Sequence, residues 1–314
     1  MSLTTACGWC GTTFDPSVQP TCPRCGAPPG HDIESTHGGW TETPALARNT
    51  TIQMGRSQAC IEGDQNPVLF CTLADGDSMS FGHKNLLWLD PALRMGSVKT
   101  ASGKAALLTE VPWRQIVTTG PGTLGLAAGR AGELGVLPMD PGSAVHVRPP
   151  SLLAAAVGLE VALAPGPISF WEQDDDSTIQ RFPMGRYLVR LAASTVPSVA
   201  FVVARGDLNI RRLAPDEPLL VHPASVAWFD ESVRWRACVE NLRGRKDAFF
   251  TGFGALSGFS LGSRSWVGPG TVLWAEAFGP GRIAISTAHF SASVPTAAQR
   301  YLIDKRATSE LSWD

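Results

Sequence analysis

Four cysteines near the start of the chain carry the clearest chemistry in the sequence. Cys7, Cys10, Cys22 and Cys25 follow the spacing C-x2-C-x11-C-x2-C, within the strings CGWCG and CPRCG. Each pair predicts a knuckle whose two thiolates converge on one ion, and the glycine after the second cysteine permits the tight turn. Four thiolates at about 2.3 Å suit tetrahedral Zn2+. A closed four-thiolate site has no open coordination position, so the expected role is structural. Rubredoxin-like iron is the rival occupant, but nothing in the sequence suggests an electron-transfer partner, and one structural zinc ion is the expectation. A ribbon this short has almost no core. Its metal must supply most of its folding energy, on the order of 10 kcal/mol.

Other constellations are weaker. The string GFSLG (258–262) fits G-x-S-x-G with Ser260 as nucleophile, yet the only downstream histidine is His289 and the acid before it, Glu276, falls on a predicted strand. The run EQDDDS (172–177) could attract a hard cation, but it lacks EF-hand spacing and glycine and reads as a solvated acidic loop. His83, His146, His222 and His289 are scattered, and His31 and His37 lie in a polar stretch beside an already complete cysteine set. Cys60, Cys71 and Cys238 have no recognisable spacing. Cys71 and Cys238 sit in apolar, strand-like contexts and are expected to be buried thiols. The basic group RGRK (243–246), with Arg234 and Arg236, reads as a charged hairpin, with an acidic partner or lipid headgroups as the alternative. The stretch VGPGTVLWAEA (267–277) resembles a phosphate loop only superficially. It lacks the lysine, and it leads into alternating strand residues and not a helix.

The elements that must hold these residues are strands. Apolar residues make up 44% and charged residues only 17% of the 314, and 32 glycines with 24 prolines punctuate the chain. That combination favours many short strands over long helices. The net charge of -2 offers no basic field for nucleic acid. Residues 1–45 carry Arg24 against Asp15, Asp32, Glu34 and Glu42, a local charge of -3 that is unfavourable beside phosphates. Trp9 and Phe14 are expected to cover the metal site, with partner contact as the alternative. No apolar run reaches the ~18 residues of a membrane-spanning helix, and the start has no signal-like pattern. A cytoplasmic location is expected, and with it reduced cysteines.

From about residue 50 the chain repeats itself. ADGDSMSFGHKNLLWL (74–89), DPGSAVHVRPPSLLAA (140–155) and APDEPLLVHPASVAWF (214–229) each place a turn before an alternating strand. A break follows, then Asn85, Ser151 or Ser225 leading into LLW, LLA or VAW. GPGTLGLAAG (120–129) matches GPGTVLWAEA (268–277), with TVPSVAFVVA (195–204) as a degenerate middle copy. Period-2 alternation makes the unit β, and recurrence predicts three modules of roughly 70–75 residues packed around a pseudo-threefold axis.

On these strings the chain resembles the altered-inheritance-of-mitochondria family of the protein-twenty-four type. The signature-like segment KDAFFTGFGALSGFSLGSRSWVGPGTVLWAEA, with LADGDSMSFGHKNLLWLDPALRMG (73–96) and GELGVLPMDPGSAVHVRPPSLLAAAVGLEV (132–161), carries the resemblance over about residues 65–278. It implies an all-β fold like that of the tryptophan-RNA-binding attenuation protein, built by internal repetition and often assembled as a trimer. It implies no enzymatic activity, and a link to inner-membrane organisation for mitochondrial members. RNA binding does not follow from the fold. This chain departs from the pattern in its ribbon, a longer insert at 166–187 and an extra tail.

The expected organisation is a zinc ribbon (1–26), a linker (27–49), a repeated antiparallel β body (50–290) and a helical tail (291–314). The tail is read as a short helix because Thr296 and Gln299 suit a capping box. The expected function is a non-enzymatic, homotrimeric scaffold whose ribbon binds a protein partner. The alternative is a module responsive to a lipid or small ligand, with peripheral membrane contact.

Overall fold

The computed structural model describes residues 4–29, 40–42, 51–63, 66–99, 114–129, 131–156, 158–174, 177–241, 264–267, 271–288, 301–304 and 308–311. Their regular structure is almost entirely β-strand, with two single-turn 3-10 helices at His83–Asn85 and Pro149–Ser151. The all-β, internally repeated reading holds, and the repeat is legible strand by strand.

Each module has six strands in one order. In the first they are Val68–Leu73, Ser78–Phe81, Leu86–Leu89, Arg94–Lys99, Arg114–Thr119 and Gly122–Ala127. In the second they are Leu134–Met139, Ala144–Val147, Leu152–Ala156, Leu159–Pro165, Tyr187–Ala193 and Ser198–Val203. In the third they are Leu208–Leu213, Pro218–Val221, Val226–Asp230, Arg234–Asn241, Thr271–Phe278 and Gly281–Ser286. In every module the sixth strand lies between the first and third, and the fifth lies between the second and fourth, all antiparallel.

Local chemistry repeats to the residue. The turn between the first two strands places Gly76, Gly142 and Asp216 at φ of 78°, 79° and 60°. Glycine suits the left-handed position without steric cost, and an Asp is among the few other residues that tolerate it. Asp77, Ser143 and Glu217 then donate their amides back to the carbonyls of Ala74, Asp140 and Ala214. Asn85, Ser151 and Ser225 are all buried, and their amides donate to Gly82, Arg148 and His222. The register slips once in each third strand, beside Leu87, Leu153 and Ala227, so the same β-bulge recurs three times.

One expected equivalence is corrected. The partner of GPGTLGLAAG is not GPGTVLWAEA but the next glycine-proline turn, at 279–288. Strand Thr271–Phe278 takes the fifth place, with Arg114–Thr119 and Tyr187–Ala193. A Cβ on Gly120 would lie 2.3 Å from the Ala74 carbonyl oxygen, and one on Gly279 would lie 2.0 Å from that of Ala214. Close backbone approach thus fixes glycine at both true equivalents, whereas the match to 268–270 reflects turn composition alone. Gly268, Pro269 and Gly270 themselves lie outside the described residues.

Modules join by sharing sheets. The third strand of module two pairs with the second strand of module one, with Ala154 opposite Phe81 and Ala156 opposite Met79. The third strand of module three pairs likewise with the second strand of module two, with Trp228 opposite Val147 and Asp230 opposite Val145. Three apolar cores lie between successive sheets. The shared strand Ser198–Val203 is buried along its whole length. It sends Val199, Phe201 and Val203 into one core and Ala200 and Val202 into the next. That double burial explains its uninterrupted apolar sequence.

The segment expected as a helical tail is corrected to strands. Tyr301–Asp304 pairs with Phe170–Asp174 of the insert and with Arg264–Val267, and Thr308–Leu311 runs parallel to Arg234–Asn241. Sheet edges with unpaired backbone groups are available there, and ladder bonds to them outweigh a marginal helical pattern. Trp40–Glu42, within the stretch read as linker, pairs with Leu208–Leu213.

Candidate metal centre

The ribbon is built from two equivalent turns around a two-stranded ladder, Thr5–Ala6 with Thr13–Phe14. Gly11 donates its amide to Cys7 and Gly26 donates to Cys22, both at 2.8 Å. Gly11 and Gly26 adopt φ of 74° and 76°, the left-handed conformation expected of the glycine closing each knuckle. The turns bring all four sulfurs together: the ligand atoms of Cys7, Cys10, Cys22 and Cys25 lie within 4.8 Å of one another, and the group could hold a metal ion. Cys7 and Cys25 sulfurs are 3.6 Å apart, as are those of Cys10 and Cys22. Four sulfurs about 2.3 Å from a central ion stand about 3.8 Å from each other in a tetrahedron, so the set fits one tetrahedral ion. A disulfide would need about 2.05 Å.

The electrostatics agree with a cation site. Hydrogen bonds from Cys22 and Cys25 hold the Cys10 thiol well below its ordinary value. The same contact with Cys10 pushes Cys22 up to about 12 and pushes Cys25 up. A central cation would displace the thiol protons from this cluster.

Phe14 is buried in the ribbon's small core, and half-buried Trp9 packs against both that core and the β body. Both therefore act as cover. The second knuckle is also a docking device. Arg24 donates to the Met139 carbonyl at 3.1 Å and pairs with Asp140 at 2.9 Å, while Gln53 donates its amide to the Pro23 carbonyl at 2.6 Å. The sequence contained no signal for the Arg24 contacts, because their partners lie more than a hundred residues away. A cavity of about 530 Å3 lies along the seam, lined by Pro23, Arg24, Met54, Ala156, Pro197 and Val199 among others.

The weaker candidates are dispersed. Cys71 is buried beside Met79, and burial pushes its thiol up. Cys238 is buried as well. Cys60 is half-buried and likewise raised by burial. His146 packs on Phe229, and His222 accepts from the Ala224 amide, in different slots of the repeat. Arg234 pairs with Asp216 and Arg236 pairs with Glu276, so both basic side chains have carboxylate partners. Phe170–Asp174 and Ser177–Arg181, on either side of the acidic run, pair antiparallel, and Asp175 and Asp176 lie outside the described residues. Ser260, residues 243–246, His31, His37 and His289 lie outside the described residues.

Sequence reasoning also missed Arg148. It is buried, and its guanidinium donates to the carbonyls of Met184, Ala224, Pro183 and Pro223. It ties the insert to the third module from the slot that Gly82 and His222 occupy in the other copies.

No helix among the described residues is long and apolar enough to cross a membrane. No curated protein matches the chain. Among solved structures, a crystal structure of a Streptococcus pyogenes protein, determined as a structural-genomics target, matches with a TM-score of 0.50 and 13% identity. The match covers 74% of this chain and 94% of that one. At that identity the likeness concerns the fold. The sequence model of a family described as mitochondrial biogenesis AIM24 matches residues 59–287, most of the repeated body and none of the ribbon, and the chain therefore belongs to that family.

Proposed function

We propose that this protein is a non-enzymatic assembly scaffold whose zinc-bearing ribbon contacts a protein partner. The observation that carries the reading is the way the ribbon sits. Its second knuckle is fixed to the body through Arg24 and Pro23, while the loop that precedes that knuckle presents Val18 at 74% exposure. A single zinc ion is the occupant that the four-thiolate set favours. The local charge of -3 argues against a nucleic-acid role for the ribbon. The body self-associates in this reading, as a homotrimer, and the protein works in the cytoplasm. The test compares proteins co-purifying with the full chain and with a chain lacking residues 1–45. The scaffold reading expects the ribbon-dependent partners to disappear. Recovery of the same set from the shortened chain would overturn it.

The cavity on the ribbon–body seam favours a second reading, a module responsive to a lipid or small apolar ligand. Its volume and mostly apolar walls are those of a small-molecule pocket. Binding of a fluorescent fatty-acid probe that is lost on Pro197→Asp would support this reading, and absence of any probe or liposome binding would remove it.

A further inference from the structure

The two module joints share one register. Relative to the repeat, Ala154 opposite Phe81 is the same pair as Trp228 opposite Val147, and Ala156 opposite Met79 is the same pair as Asp230 opposite Val145. Three modules joined in this way define three third strands and three second strands, but only two joints. Among the described residues, Leu86–Leu89 pairs only with Gly122–Ala127, and Pro218–Val221 pairs only with Thr271–Phe278. The first module therefore offers a third-strand edge and the third module offers a second-strand edge, which is the complementary kind.

The side chains at these edges mark them as incomplete. Leu87 is 57% and Trp88 42% exposed, whereas their equivalents Leu153, Ala154, Ala227 and Trp228 are all at 1% or less. Leu219 is half-buried, whereas its equivalents Met79 and Val145 are buried. What the two internal joints bury, the two unpaired edges leave exposed or half-buried. Unpaired edges with apolar side chains are templates for strand addition.

We propose that these two edges pair between copies of the chain, Leu86–Leu89 of one with Pro218–Val221 of the next, so that each intermolecular joint repeats the two internal ones. Extending their register places Trp88 opposite Val221, Leu89 opposite Leu220 and Asp90 opposite Leu219. The contact is head-to-tail: the patch on one copy meets a different patch on its neighbour, and closure into a ring depends on the rotation at each joint. The proposal rests on the self-association part of the function proposed above and names the surface that produces it.

The test uses two single-edge variants of the full chain, Leu89→Pro and Leu220→Pro, with proline removing the edge amide from each side of the proposed ladder. Native mass spectrometry of the unmodified protein is expected to show an oligomer. Each variant alone is expected to be a monomer, since it lacks one of the two patches. An equimolar mixture is expected to give a species of twice the chain mass, joined through the one intact patch on each. If a proline variant does not fold by circular dichroism, Leu87→Lys or Leu220→Lys takes its place. Amide exchange at Leu89 and Leu220, the hydrogen-bonded pair of the proposed ladder, adds an independent readout, slow in the oligomer and faster in the variants. An oligomer that survives either substitution overturns the edge pairing and leaves self-association standing. A monomeric unmodified protein overturns both.

Discussion

Arg24 and Asp140 form a 2.9 Å ion pair across the boundary between ribbon and β body, and Arg24 lies between Cys22 and Cys25 of the cluster that could hold a metal ion. The same knuckle that brings these cysteines together therefore grips the body. Asp140 is largely exposed, so the ion pair alone is worth little, and the Arg24 bond to the Met139 carbonyl contributes alongside it. A double-mutant cycle of Arg24→Ala and Asp140→Ala, read by urea unfolding, is expected to give a coupling of about 0.5–1 kcal/mol. Additivity of the two substitutions would show that the pair does not form.

Removing the metal is expected to unfold the ribbon and spare the body. The ribbon's core is little more than Phe14, Ala27 and the cysteines themselves, whereas the body has three apolar cores of its own. Limited proteolysis after chelation is expected to cut within residues 1–26 and leave a folded core by circular dichroism. A body that melts together with the ribbon would show tighter coupling than the docking contacts support.

Arg148 is a second fastening. Its guanidinium serves carbonyls on the insert and on the third module, and Arg148→Met would leave those buried acceptors without donors. The expected loss is about 3 kcal/mol or more, measured by denaturant unfolding. A loss below 1 kcal/mol would mean that water replaces the guanidinium.

The corrected repeat alignment makes its own prediction. Gly120→Ala and Gly279→Ala each drive a methyl group into a backbone carbonyl, at 2.3 and 2.0 Å. Both are expected to cost about 2 kcal/mol or more. Gly96→Ala, whose Cβ would meet nothing closer than 3.9 Å, is expected to be mild. Similar melting temperatures for all three variants would undo the assignment of 120 and 279 as equivalent positions.

Acid is expected to weaken the second joint between modules. Burial beside Phe229 holds His146 below its ordinary value, against the raising effect of Glu231 and with a lowering contribution from Arg190. The unfolded chain therefore takes up the His146 proton first. The stability contributed by the neutral ring is complete above about pH 6.5. It is lost as pH falls through the lower folded value. Glu231 is itself held below the usual carboxylate range by Arg190, and it stays ionised across that window. Thermal melts from about pH 7 down to 5 are expected to show a shallower decline for His146→Gln than for the unmodified chain. Parallel declines would assign the acid sensitivity elsewhere.

Much of this architecture was legible in the sequence, for local reasons. The cysteine knuckles and the turns at Gly76, Gly142 and Asp216 are short-range features whose residue types state their backbone geometry. The equivalence of Asn85, Ser151 and Ser225 was visible for the same reason. Features set at long range were not. The third copy of the glycine-proline turn was misplaced because two such turns lie close together in that module, and only the approach to Ala74 and Ala214 separates them. The strands at 301–304 and 308–311 depend on sheet edges supplied by distant segments. The grip of Arg24 on Asp140 and the fourfold service of Arg148 have no local signature at all.

The central claim is that Cys7, Cys10, Cys22 and Cys25 hold one zinc ion in a ribbon fastened to a repeated β body. Elemental analysis of the purified chain beside Cys7→Ser/Cys22→Ser tests it most directly. One zinc per chain is expected in the unmodified protein and none in the variant. Stoichiometric zinc retained by the variant, or iron in place of zinc in the unmodified protein, would contradict it.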